Sequence, residues 1–205
     1  MYLIGLTGGI ASGKSTVSRM LSSLGAFIVD VDKISREITE PGKPAWQDIV
    51  NTFGQDMVQA DGQIDRKRLG QLVFSNKQAR FKLEQITHPR IEAAANAAIT
   101  AAAASGFSVI ILDAPLLIEV GWQAKVDAVW VVYVDEQTQL ARLMSRDKST
   151  EAAARARINA QLALSEKLKY ADVVINNNTT IESTQSAVLK AWNEIAIVKK
   201  NNKHK

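Results

Sequence analysis

The chain has 205 residues, enough for one domain with an insertion and for a sizeable buried core. Hydrophobic residues are 46% and charged residues 22%, which excludes a disordered or collagen-like chain, and an aromatic share of 6% argues against a surface built to stack many bases. With no cysteine, disulfides, zinc–thiolate sites and thiol catalysis are excluded, while a formal charge of +4 points to an anionic partner.

Tyr2–Leu6 is a short apolar run, read as the first strand. Val17, Met20, Leu21 and Leu24 recur at i, i+3, i+4 and i+7, so a helix follows, and Ala26–Asp30 is the second strand. The stretch 33–105 is different. Pro41-Gly42-Lys43-Pro44 punctuates it, and the spacing predicts helices over Pro44–Phe53, Asp65–Phe74 and Lys77–Ile86. His88-Pro89 reads as a helix break, with a long alanine-rich helix after it. Ser108–Asp113 and Ala128–Val134 are apolar at consecutive positions, as strands covered on both faces are. A second helical excursion, about 135–168, precedes a short strand at Asp172–Ile175. The last helix is expected from Thr179, where Thr179 and Glu182 have capping-box spacing and Ile181, Val188, Trp192 and Ile195 share a face.

Strands alternating with helices predict an α/β fold with a parallel sheet. The expected organisation is a three-layer core over 1–32, 106–134 and 170–198, with an inserted helical subdomain at 33–105. A helical lid at 135–169 and a basic tail at 199–205 complete it. The longest apolar run, Ala128–Val134, is far short of the roughly 20 residues a membrane span needs. No positive segment precedes an apolar one near the start, so a soluble, cytoplasmic protein is expected.

Gly8-Gly9-Ile10-Ala11-Ser12-Gly13-Lys14-Ser15 matches G-x-x-x-x-G-K-[ST] in full, directly after a predicted strand and before an amphipathic helix. Glycines let the backbone curl so that its N–H groups point at phosphate oxygens, and the helix start adds a positive dipole end. Lys14 can reach the β- and γ-phosphates, and the Ser15 hydroxyl can ligate Mg²⁺. Ala11, Ser12, Gly13 and Thr16 complete the ATP-binding stretch. No N-K-x-D guanine reader follows a strand; Asn176-Asn177-Asn178-Thr179 is not one. A small-molecule kinase then needs a base, an acceptor site and cations over the transferring phosphate.

Asp30-Val31-Asp32 ends the second strand, at the sheet edge that the phosphate loop leaves. A carboxylate there can accept a proton from an attacking hydroxyl or help to hold Mg²⁺, and one of the two can equally be a helix cap. Asp113 closes another strand, either as an outer Mg²⁺ ligand or simply as the acid that ends it. Arg142 and Arg146 are four apart on one face of the predicted lid, where arginines neutralise charge on the γ-phosphoryl, an effect worth roughly 10³–10⁵ in rate. From Arg66 to Arg90 there are seven basic residues against one acid, Glu84, which suits a phosphorylated acceptor or a basic solvated face.

Several of these residues stand together in a pattern that resembles the dephospho-CoA kinase family. Leu6-Thr7-Gly8-Gly9-Ile10 runs into Ser12-Gly13-Lys14-Ser15, followed by Val29-Asp30-Val31-Asp32 with Arg36, Phe53-Gly54 and His88-Pro89. Then come Pro115-Leu116-Leu117-Ile118-Glu119, Gln139-Leu140-Ala141-Arg142 with Arg146, and Ala171-Asp172 with Asn176. The resemblance covers nearly the whole chain. It implies a three-layer P-loop NTPase core, an inserted helical subdomain that binds the CoA acceptor and a helical lid, together transferring the ATP γ-phosphate to the ribose 3′-hydroxyl of dephospho-CoA, with ATP and Mg²⁺. It implies Asp32 as the base, Arg142 and Arg146 as lid arginines, Asn176 near the adenine, and His88, Pro115 and Leu116 along the acceptor pocket. Ala11 stands where the family usually has glycine, which leaves binding intact if φ there is negative.

The rival readings are another P-loop small-molecule or nucleotide kinase, and a non-catalytic nucleotide-binding switch or nucleic-acid binder. Lys199, Lys200, Lys203 and Lys205 carry the whole charge excess, so residues 1–198 balance at 21 basic and 21 acidic side chains and the terminus is expected to fray. A neutral chain with basic charge concentrated at Lys14, at 66–90 and at the lid suits small phosphorylated substrates. No nucleic acid, membrane or obligate protein partner is expected.

Overall fold

A computed structural model describes residues 1–202, and side chains as far as Ile195. Residues 203–205 of the expected basic tail lie outside the described residues. The chain divides into two compact units, residues 1–29 with 102–205, and residues 30–101.

The first unit is built on a five-stranded sheet of order β2-β3-β1-β4-β5. Its strands are β1 (Tyr2–Gly8), β2 (Phe27–Asp30), β3 (Val109–Asp113), β4 (Ala128–Tyr133) and β5 (Val173–Asn176). β1 pairs in parallel with β3 and with β4, and β4 with β5. Burial on both faces explains why these strands read as unbroken apolar runs. On one face Ile4, Leu6, Ile111, Trp130 and Val132 pack with Val17 and Leu21 of α1 (Lys14–Ser23), and with Val188 and Ile195 of α9 (Ile181–Asn202). On the other, Gly5 lets Leu117 come so close that an added Cβ would lie 2.6 Å from its Cδ2. β1 lies centrally, between strands that come later in the chain, so its C-terminal end is a switch point where a crevice opens for a ligand.

The excursion between β4 and β5 consists of α6 (Glu136–Asp147), α7 (Glu151–Asn159) and α8 (Leu164–Leu168). Asp135 caps α6 by accepting from the Thr138 N–H, and that bond holds its carboxyl below the usual range. Thr150 caps α7 in the same way through the Ala153 N–H. The expected start of the last helix at Thr179 is corrected: the helix begins at Ile181, and Thr180 Oγ1 takes the Ser183 N–H at 3.3 Å. The α9 backbone continues through Lys199 and Lys200 to Asn202, so residues 199–202 of the expected frayed tail are helical.

The second unit holds α2 (Val31–Glu37), α3 (Pro44–Phe53), α4 (Arg66–Ser75) and most of α5 (Lys77–Ala104). Ile49, Val50, Met57, Ile64 and Leu69 form its core, and the Trp46 indole donates to the Gly62 carbonyl at 2.9 Å. The helix break expected at His88-Pro89 does not occur; α5 runs unbroken over 28 residues with Pro89 inside it. Proline removes one backbone donor. Two side chains add bonds on either side of the Gln85 carbonyl that Pro89 leaves without its backbone donor: Thr87 Oγ1 donates to the Leu83 carbonyl at 2.8 Å, and Arg90 to that of Ile86 at 2.6 Å.

Candidate active site

The phosphate loop leaves β1 at Gly8 and enters α1 at Lys14. Ser12 N–H closes a turn onto the Gly9 carbonyl at 3.0 Å. Gly13 follows with φ 88°, the left-handed conformation, as the residue before α1. A side chain there would be strained, and its Cβ would run into the Asn177 amide. Ala11 also has a positive φ, 59°. The condition on which alanine is expected to fit, a negative φ, is therefore not met: the loop holds it left-handed, where a non-glycine residue is strained by about 1–2 kcal/mol.

Among the described residues, no acceptor takes the backbone N–H of Ala11, Gly13, Lys14 or Ser15. The Ser12 hydroxyl is buried and equally without a partner there. Open donors at a helix start form a cradle for an anion. Lys14 Nζ pairs with Asp113 at the end of β3, both largely buried, so Asp113 serves as the counter-ion of the loop lysine. Ser15 is exposed at the head of α1, and Thr16, half-buried, accepts from Arg19 at 3.4 Å.

Side chains distant in sequence fix this loop. Asn177 is buried, donates to the Ser12 carbonyl at 2.7 Å, and accepts from Thr184 Oγ1 at 2.7 Å. Its neighbour Asn176 is exposed and accepts from Asn178. Gln139 of α6, also buried, donates to the Ile10 carbonyl at 2.9 Å. Gln161, between α7 and α8, accepts from the Ile10 N–H at 2.8 Å.

The turn after β3 is tied to the same place. Thr7 Oγ1 donates to the Pro115 carbonyl at 3.1 Å, and so does Lys167 Nζ at 2.6 Å. Lys167 is fully buried and meets Glu119 at 2.8 Å. Burial, together with the positive charge of Lys14, lowers its pKa, against the pull of Glu119. Leu116 is exposed and Pro115 half-buried.

Arg142 and Arg146 both lie on α6. Arg142 is half-buried, with no hydrogen bond or ion pair among the described residues. Arg146 is exposed and bonded to Asp147 at 2.8 Å, an interaction that raises the arginine pKa and lowers that of the acid. Arg157 shares Asp147, and Arg155 is paired with Glu136 and Glu151.

Asp32 and His88 belong to the helical unit. Asp30 is the cap of α2, accepting from the Lys33 N–H at 3.0 Å, while Asp32 is exposed in the first turn. His88 is exposed on α5. A cavity of ≈ 190 Å³ lies within this unit, where Ser35, Thr39 and Arg66 stand among Ile49, Ile64 and Leu83. Arg66 donates to Thr39 Oγ1 at 2.7 Å, and burial, then the charge of Arg36, lowers its pKa. Of the basic run at 66–90, Arg68 and Arg90 pair with Asp56 and Asp48.

Asn177, Gln161 and Lys167 carry no motif that singles them out, and Gln139 enters the resemblance only as the first residue of the run Gln139-Leu140-Ala141-Arg142, with no role of its own. One signal existed for Gln139: it stands one turn before buried Leu143, a polar residue on the inward stripe of an amphipathic helix.

A family model described as dephospho-CoA kinase matches residues 2–183. A dephospho-CoA kinase of Carboxydothermus hydrogenoformans is 50% identical over 187 residues, 91% of each chain. Among solved structures, a dephospho-CoA kinase from Campylobacter jejuni superposes with TM-score 0.71 at 32% identity, over 96% of this chain and 98% of that one. TT1252 from Thermus thermophilus gives TM-score 0.79 at 30% identity, over 93% and 95%. With its phosphate loop, its proline-leucine turn and its helical insertion all inside these matches, the chain belongs to the dephospho-CoA kinase family.

Proposed function

We propose that the protein transfers the γ-phosphate of ATP to the ribose 3′-hydroxyl of dephospho-CoA, giving coenzyme A and ADP in the cytoplasm. The observation that carries this is the cradle of open N–H groups at Ala11, Gly13, Lys14 and Ser15, on a chain of this family. In the reaction the 3′-oxygen attacks the γ-phosphorus, the bond to the β,γ-bridging oxygen breaks, and the hydroxyl proton passes to Asp32. Asp30 serves as the cap of α2, so Asp32, exposed in its first turn, is the carboxylate assigned to the proton.

Lys14 leaves Asp113 for the β- and γ-phosphates, and the backbone of Ala11–Thr16 wraps them. Arg142, with Arg146 beside it on α6, faces the charge that spreads over the transferring oxygens, and the segment 135–169 acts as the lid. Asn176 lies by the adenine. His88 and Arg66 are the helical unit's groups for the acceptor, Arg66 suited to its anionic groups, and Pro115 and Leu116 are those of the sheet unit.

The donor chemistry fits Mg²⁺. Ser15 offers a hard oxygen, and no group of three His, Cys, Asp or Glu gathers among the described residues, as suits an ion that takes most ligands from phosphates and water. Ser15 would hold it, with Asp32 the second candidate; when bound it offsets charge on the β- and γ-oxygens. Among the described residues no helix is long and apolar enough to cross a membrane.

A panel of acceptor alcohols tests the reading. ADP should form from ATP only with dephospho-CoA, matched by coenzyme A. Turnover with another alcohol and none with dephospho-CoA would overturn it.

A further inference from the structure

Ile10, at the tip of the phosphate loop, is gripped on both of its backbone polar groups by side chains far away in sequence. Its N–H donates to Gln161 Oε1 at 2.8 Å, and its carbonyl accepts from Gln139 Nε2 at 2.9 Å. The two glutamines stand on different parts of the excursion between β4 and β5, one on α6 and the other between α7 and α8. Gln139 also lies against Gly9, where an added Cβ would be 2.5 Å from its Nε2. Gln161 is held in turn through the next residue, since the Leu162 N–H donates to Glu119 at 3.2 Å.

The residue after this grip is Ala11, with φ 59°. A strained backbone conformation persists only where its surroundings over-determine it. The motion that would relieve Ala11 is a flip of the Ile10–Ala11 peptide plane, which turns ψ of Ile10 and φ of Ala11 together. The Ile10 carbonyl belongs to that plane, so the Gln139 bond opposes the flip directly. The Ile10 N–H belongs to the plane before it, so the Gln161 bond fixes the other side of the hinge. With both in place, the next free N–H groups, at Ala11 and Gly13, keep the aim of the cradle.

We propose that Gln139 and Gln161 are positioning residues that hold the strained Ile10–Ala11 peptide in its phosphate-receiving orientation, so that ATP affinity depends on the seating of the α6–α8 segment against the loop. Neither side chain has to touch the nucleotide. Their effect passes through the population of one backbone conformation.

Loss of one grip lets Ala11 relax, and the apparent affinity falls by the fraction of loops left competent, about tenfold for a left-handed alanine. Glycine adopts the same conformation without a steric cost, so Ala11→Gly should compensate. The experiment measures ATP binding directly by calorimetry for the wild type, Gln161→Ala, Ala11→Gly and the double variant. Gln139→Met serves as the shape-conserving partner at the buried position, and nucleotide-free melting curves verify folding. Gln161→Ala should raise the Kd for ATP about tenfold, and Ala11→Gly should recover most of that loss in the Gln161→Ala background. A glycine effect of equal size in both backgrounds would overturn the proposal, as would an unchanged Kd in Gln161→Ala. The inference rests on the reading of the loop as an ATP site; because binding is measured without acceptor, a wrong acceptor assignment shows only in the alcohol panel.

Discussion

Replacing Lys167 by methionine keeps the unbranched stem, one atom shorter, and removes a fully buried ammonium. In the wild type that ammonium meets Glu119 Oε1 at 2.8 Å, Oε2 at 3.0 Å and the Pro115 carbonyl at 2.6 Å. The variant leaves Pro115 with the Thr7 hydroxyl at 3.1 Å and, among the described residues, leaves the Glu119 carboxylate with only the Leu162 N–H at 3.2 Å. Removing one partner of a buried pair costs about 3–5 kcal/mol. The Glu119 side chain keeps 22% of its exposure, so water reaches it and the low end, about 3 kcal/mol, is expected. At this chain length each kcal/mol moves Tm by roughly 2–4 °C, so Tm should fall by about 6–12 °C. Adding Glu119→Gln removes the stranded charge but keeps an acceptor for Leu162, and should return about half of the loss. Circular dichroism melts of the four proteins complete the cycle. A fall of under about 2 °C in Lys167→Met, or a double variant no more stable than it, would refute the mutual dependence of the pair.

Burial first, then Lys14, sets the folded-state pKa of Lys167 below its ordinary 10.5. Between the two values the unfolded chain holds a proton that the folded chain has lost, so Lys167 adds stability as pH rises toward 10.5. Urea midpoints should therefore rise in the wild type relative to Lys167→Met across that alkaline window; a constant difference would count against the burial of a strained ammonium. Asp32→Asn should melt as the wild type does, since Asp30 is the cap of α2, yet lose roughly 10²–10⁴ in kcat. Full turnover in that variant would return Asp32 to an ordinary place in a helix start.

Much of the site was legible because its parts are local. Gly8 to Ser15 are contiguous, and the strand before and the helix after them are set by hydrophobic period. The helices expected over Asp65–Phe74 and from about 135 are likewise set locally, each beginning where an aspartate, Asp65 or Asp135, takes an N–H three residues on. Local rules failed where a neighbouring residue could do the same work. Thr179 has the capping-box spacing to Glu182, yet the cap bond is made by its neighbour Thr180. Pro89 costs α5 one backbone bond, but the rest of a long helix outweighs that single loss.

By itself, then, the sequence determined the parallel α/β core, the phosphate loop and the family to which the chain belongs, since each is written in contiguous or regularly spaced residues. Only the tertiary structure decided that Ala11 is left-handed, and that Asn177 rather than Asn176 is bound to the loop. It also decided that Gln139 and Gln161 hold Ile10, and that Lys167 is buried beneath the Pro115 turn. These contacts join residues more than a hundred positions apart, or, for Lys167 and Pro115, across β4 and the whole α6–α8 excursion. No spacing rule reaches that far: strand order and burial bring such side chains together, and the free energy of satisfying buried polar groups keeps them there.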